Sequence, residues 1–178
     1  MKERSQKLPH IEIIPAAPEQ EAVLANLLQL YAHDFSGFYD VELQANGRFV
    51  YKDLPLYWRD ANRHPFLVYA DHKLAGFVLM KRGSEVTGDP NIWDMVEFFV
   101  ARGFRRRGIG TEIAKLIWKR YPGFWELRVL RLNQAALRFW VRAIKIFAGV
   151  TAEPVSFQKD GDDWLLFSFE SKENTAEG

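Results

Sequence analysis

The stretch FRRRGIG, Phe104 to Gly110, follows the apolar run MVEFFV, Met95 to Val100, and sets three adjacent arginines against two spaced glycines. A helix starting here leaves its first N–H groups without intrahelical partners, at the positive end of the helix dipole. Glycine at 108 and 110 lets a ligand approach the backbone without meeting a Cβ. Arg105, Arg106 and Arg107 add fixed positive charge. All three features favour a phosphate or pyrophosphate. The tripeptide alone would serve equally well as a helix start with solvated arginines. Its flanks decide for the anion: a strong strand precedes it, and Ile109, Ile113, Leu116 and Ile117 after it share one helical face. Neither G-x-x-x-x-G-K-[ST] nor G-x-G-x-x-G after a strand occurs, so Walker-type and dinucleotide sites are not supported.

On either side of this junction the hydrophobic pattern changes period. IEII (Ile11 to Ile14) reads as a short strand, and Pro18 opens a helix with Leu24, Leu27, Leu28 and Tyr31 at helical spacing. Residues 34–65 are rich in aromatics and turn formers, with Pro55 breaking any long helix. FLVYADHKLAGFVLMKRG reads as a hairpin around DHK, and IWDMVEFFVA as a third strand. WELRVLR is again a strand. Asn133 is a natural N-cap for the helix QAALRFWVRAIKIF, in which Ala136, Trp140, Ile144 and Phe147 line one stripe. VTAEPVSF and WLLFSFE are the last strand candidates. Hairpins mixed with single crossovers imply an α/β protein with a mixed, mostly antiparallel sheet of about six to seven strands flanked by helices. One domain is expected over residues 9–171, with loosely ordered termini at 1–8 and 172–178.

Composition narrows the chemistry. The 178 residues are 48% hydrophobic with fourteen Phe, six Tyr and six Trp, a globular composition. Twenty-four basic against 23 acidic residues give a net charge of +1, which argues against nucleic acid as a partner. There is no cysteine, so thiol nucleophiles, disulfides and thiolate-held metals are excluded. His10, His33, His64 and His72 show no metal-ligand spacing, and no metal is expected. The opening MKERSQKLPH lacks an apolar h-region, and no apolar run approaches the roughly 20 residues that span a bilayer. A cytoplasmic protein without a membrane partner is the expectation.

With these elements in place, the arrangement resembles the GNAT superfamily of acetyl-CoA-dependent N-acyltransferases. The superfamily signature, Arg or Gln, two residues, Gly, one residue, Gly or Ala, is matched by Arg105, Gly108 and Gly110. A second motif, Asn, two residues, Ala, two residues, an aromatic pair, is matched by Asn133, Ala136, Phe139 and Trp140. The resemblance implies a strand before the loop that splays from the strand after the helix. It implies backbone groups freed near Phe99 and Val100 for the pantetheine arm of acetyl-CoA. It further implies pyrophosphate contacts from the loop, Arg105 through Thr111, and places Asn133 near the thioester, as both a catalytic and a cofactor-binding candidate. Trp140, beside the same arm, stands where many relatives carry the Tyr that acts as general acid. The glycine that often follows this helix is displaced to Gly149.

Acyl transfer from a thioester to an amine has four requirements. The amine, with a pKa near 10.4, must lose a proton. It must lie within reach of the carbonyl. The oxyanion needs donors, and the departing thiolate needs a proton or stabilisation. Glu97 interrupts the apolar MVEFFV and is the first candidate base, since a desolvated carboxylate has a raised pKa. A structural carboxylate paired with an arginine is the competing role. Glu126 is a second, weaker candidate. An indole N–H donates a hydrogen bond but does not give up its proton, so Trp140 keeps open a non-catalytic acyl-CoA-binding or regulatory protein. The expected acceptor is a small-molecule or peptide amine, and a homodimer stays open.

Overall fold

The computed structural model describes residues 7–172. Of the termini expected to be loosely ordered, all but Lys7, Leu8 and Lys172 lie outside the described residues. The strands are β1 (Ile11–Pro15), β2 (Arg63–Ala70), β3 (Lys73–Arg82), β4 (Trp93–Val100), β5 (Gly123–Leu130), β6 (Val155–Lys159) and β7 (Asp162–Ser171). The helices are α1 (Glu21–Phe35), α2 (Ile109–Arg120) and α3 (Gln134–Ala148). All seven strands form one sheet in the order β1-β2-β3-β4-β5-β7-β6. Only β4 and β5, joined through α2, run parallel, because a single helical crossover returns the chain in the same direction. The expected mixed, mostly antiparallel sheet flanked by helices is therefore the observed one.

The sheet divides the core in two. On one face α2 and α3 pack Ile113, Ile117, Trp118 and Ile144 against Val78, Met80, Leu127 and Phe167. On the other, Leu24 and Leu28 of α1 meet Leu67, Phe77, Leu79 and Phe99. Strands β2 and β3 are covered on both faces, which is why FLVYA and AGFVLM read as continuous apolar runs without alternation.

Three local readings change. The first hairpin turns on Asp71 and His72 alone, both left-handed (φ 46° and 63°), as a two-residue turn matching strand twist requires. The strand expected from Val150 begins at Val155, since Pro154 has no N–H to give a ladder. Residues 36–62 hold one isolated bridge, Leu43 to Phe49, and a 3-10 turn over Leu54–Trp58. The Gln29 side chain on α1 fastens that loop: its Nε2 donates to Phe49 O at 2.9 Å and its Oε1 accepts from Phe49 N at 2.8 Å.

Candidate active site

Strands β4 and β5 are paired only over Trp93–Trp125, Asp94–Glu126 and Met95–Leu127. Beyond Met95 they part, while β4 stays paired with β3 as far as Val100. The register between β3 and β4 slips at this point: Met80 faces Met95, but Leu79 faces Glu97, so Val96 is an extra, bulged residue. An inserted residue flips every later side chain to the opposite face. Trp93 and Met95 pack toward α2 and α3, as do Phe98 and Val100, and Glu97 and Phe99 are turned to the α1 side. Without the bulge Glu97 would point into the α2–α3 core.

The gap between the parted strands opens into a cleft of about 560 Å³ that reaches from α1 to α3. Glu97 lines it, half-buried. Among the described residues no lysine or arginine lies within ion-pair distance of its carboxylate. Its partner is Tyr51, whose hydroxyl donates to Oε1 at 3.2 Å. Burial pushes the Glu97 pKa up to about 7, and the phenols of Tyr31 and Tyr51 and the positive Arg128 offset only part of that rise. This carboxyl exchanges its proton near neutral pH, as a general base must. Glu126 is buried outside the cleft lining and accepts from Ser84 Oγ at 2.5 Å, a structural role.

The FRRRGIG loop leads into α2 as its sequence implies, but its three arginines differ. Gly108 is the N-cap, left-handed at φ 77°, and no side chain caps the helix. The amides of Ile109, Gly110 and Thr111 thus open α2 without intrahelical partners. Arg106 and Arg107 are exposed and form no ion pair among the described residues. Arg105, expected at the phosphate, is engaged inward: Nη2 meets Asp34 Oδ2 at 2.6 Å, and the guanidinium lies over the Phe99 ring. Arg102 holds the other oxygen of Asp34 at 2.7 Å. Burial disfavours the ionised Asp34, yet the two guanidinium groups together hold its pKa below the ordinary value. Gly110 sits beneath α3, where a Cβ would come within 3.1 Å of the Phe139 ring. Its small size serves helix packing, not only ligand access.

The backbone expected to be free at Phe99 and Val100 is only partly so. Ala101 donates to Ala75 O on the β3 side, and main-chain groups alternate along an antiparallel strand. Phe99 accordingly faces β3, and a Cβ at Gly76 would meet the Phe99 oxygen at 2.0 Å. The outward groups belong to Phe98 and Val100, and the Val100 carbonyl accepts from Arg105 Nε at 2.5 Å. Phe98, not Phe99, carries the amide and carbonyl turned toward the gap.

Asn133 and Trp140 both line the cleft. Asn133 Oδ1 accepts from Ala136 N at 3.0 Å, the N-cap bond that starts α3. Trp140 is 7% exposed and packs edge-on to Phe98 at 4.9 Å. Sequence reasoning missed Tyr51, which lies in an aperiodic loop, and the ion cluster at the far end. There Arg128 bonds Glu85 and meets Asp94 Oδ2 at 2.9 Å, while Lys81 and Lys159 also reach Glu85. Burial raises the Asp94 pKa to about 6; at Glu85, partial desolvation works the same way, but the cations, Lys81 first, hold it at about 2. Asp94 interrupts IWDMV as Glu97 interrupts MVEFFV, and that polar break was the available signal. Among the described residues no cluster could hold a metal ion, and no helix is long and apolar enough to cross a membrane.

Comparison with known proteins follows the same geometry. The model of the acetyltransferase (GNAT) family matches residues 24–144. No curated protein matches the sequence. Among solved structures, an acetyltransferase from Thermus thermophilus is similar at TM-score 0.69 and 15% identity, over 92% of this chain and 98% of the other. The PaiA N-acetyltransferase from Thermoplasma acidophilum, in complex with coenzyme A, is similar at TM-score 0.59 and 16% identity, over 90% and 99%. A spermidine N-acetyltransferase from Vibrio cholerae, in complex with CoA and spermine, is similar at TM-score 0.63 and 14% identity, over 90% and 95%. With a seven-stranded sheet in which β4 and β5 part after Met95, an uncapped α2 behind an Arg-Gly-Gly signature, and a family model spanning both motifs, the chain belongs to the acetyltransferase (GNAT) family.

Proposed function

We propose that the protein is an acetyl-CoA-dependent N-acetyltransferase that acetylates a primary amine of a small molecule or peptide by direct attack in a ternary complex, with the cytoplasm as its location. The observation that carries this reading is the position of Glu97. Its carboxyl stands where β4 leaves β5, inside the cleft, free of an ion pair among the described residues and with a pKa near 7. The acceptor arrives as an ammonium ion, and Glu97 takes a proton from it directly or through a water. The nitrogen lone pair attacks the thioester carbonyl, the C–N bond forms, and the C–S bond breaks with its electron pair on sulfur. The outward N–H of Phe98 is a main-chain donor for the oxyanion. Trp140 has no proton to give, so the second proton, which the nitrogen sheds once the C–N bond has formed, passes through water to the thiolate. The open amides of Ile109, Gly110 and Thr111 suit the pyrophosphate, with Arg106 and Arg107 beside them.

Thiol release from acetyl-CoA, measured across an amine panel beside CoA and oligonucleotide binding, tests the reading. Amine-dependent release, lost in Glu97→Gln with the CoA dissociation constant unchanged, is the expected result. The indole at Trp140 favours one other reading, a non-catalytic acyl-CoA-binding protein. CoA binding without release from any amine would establish that one instead.

A further inference from the structure

We infer that the acceptor is a monoamine joined by a short alkyl linker to an aromatic ring, and not a polyamine; this rests on the acetyltransfer reading of the cleft. Three elements bring rings together on its α1 side. Phe35 ends α1, Tyr39 follows in the loop, and Trp164 comes from β7, with centroids 5.5 Å (Phe35–Tyr39), 6.4 Å (Phe35–Trp164) and 6.1 Å (Tyr39–Trp164) apart. All three line the cleft and are half-buried, so each still shows ring surface to it. Tyr31 bridges this triangle to the base: it stacks on Phe35 at 5.7 Å and its phenol adjoins Glu97. The wall therefore begins about one ring away from the carboxylate that would receive the amine's proton.

Charge disfavours a second ammonium group inside the cleft. The cleft is lined by three cations, Lys52, Arg128 and Lys159, and by the carboxylates of Asp53, Glu85 and Glu97. Glu85 is already held by Lys81, Arg128 and Lys159. Asp53 is exposed at the rim beside Lys52. Among the described residues lining the cleft, Glu97 is the one inward carboxylate free of an ion pair, and it is matched to a single cation. Inside the rim a polyamine would set its further charges among lysine and arginine, with the exposed Asp53 as the one other lining carboxylate that has no ion pair among the described residues. Aromatic faces, by contrast, accept both a ring and the adjoining ammonium.

The test compares phenethylamine, n-propylamine and putrescine as acceptors for the full chain and for Tyr39→Ala, a loop substitution, with Trp164→Phe as a second variant that keeps a ring. Phenethylamine is expected to exceed both others in kcat/KM by about tenfold or more. Tyr39→Ala should remove most of that advantage while changing propylamine by less than about twofold. Trp164→Phe should retain it. Preference for putrescine, or an equal loss for phenethylamine and propylamine, overturns the proposal. Should CoA bind but no amine be acetylated, calorimetry of phenethylamine with the CoA complex decides. Binding weakened by Tyr39→Ala keeps the aromatic acceptor wall and overturns only the catalytic reading; absence of binding overturns the wall.

Discussion

The Tyr51 hydroxyl donates to Glu97 Oε1 across 3.2 Å, tying a loop between α1 and β2 to the bulged edge of β4. A hydrogen bond to the charged form of an acid lowers its pKa, so Tyr51 works against the burial that raises Glu97 to about 7. Tyr51→Phe removes that donor and should drive the Glu97 pKa higher. The acid limb of the kcat/KM profile, read with a fixed amine, is expected to move to higher pH. An unmoved limb in a folded variant would mean that Glu97 does not set it.

Stability should report the same carboxyl in the absence of substrate. Glu97 has a folded pKa of about 7 against a reference of 4.5, so the folded state holds the proton more tightly than the unfolded one. The stabilisation from that proton is complete below about pH 4.5 and is lost as pH rises through about 7. Glu97→Gln has no such loss. Relative to the natural protein it should gain about 3 kcal/mol between pH 4 and pH 8, at 1.36 kcal/mol per pH unit. Paired thermal melts at the two pH values give the measurement, and a constant gap between the proteins would contradict the buried-acid assignment.

Gly110 and Phe139 make a separate test of the loop. A Cβ at 110 would sit 3.1 Å from the Phe139 ring, so Gly110→Val must push α2 and α3 apart. Such overpacking costs about 1–3 kcal/mol. Phe139→Leu in the same chain should recover part of that loss, because the smaller side chain clears the space. Additive destabilisation in the double variant would show that the ring is not the obstacle.

How far the sequence could be read depends on the range of the interactions involved. Helical stripes and apolar strand runs are local, and they placed α1, α2, α3 and most strands. The Arg105-Gly108-Gly110 spacing is local too, and it marked the start of α2. Which face Glu97 occupies is not local. It follows from one slipped pair, Leu79 with Glu97, between strands joined by a long turn. Tyr51 was hidden for a similar reason: its loop is held over the cleft by contacts distant in sequence, the Gln29 bonds to Phe49 and its own bond to Glu97. Arg105 looked like a phosphate ligand because Asp34, the carboxylate that occupies it, lies far away along the chain.

That occupation divides the three arginines into two classes with opposite expected behaviour. Arg106 and Arg107 are exposed beside the open amides of α2, and their charge is available to an anion. Replacing both with Gln should weaken CoA binding about tenfold, or 1.4 kcal/mol, and flatten its dependence on salt, since screened charges are being removed. Binding of a pantetheine fragment should hardly change. Arg105→Gln acts differently, because its guanidinium joins Asp34, the Val100 carbonyl and the Phe99 ring. Its loss leaves the part-buried Asp34 with Arg102 alone, so melting temperature should fall while the salt dependence of CoA binding stays close to that of the natural protein. Calorimetric titrations at two salt concentrations, beside melts of each variant, separate the classes. A flattened salt response in Arg105→Gln with unchanged stability would reverse the assignment and return Arg105 to the phosphate.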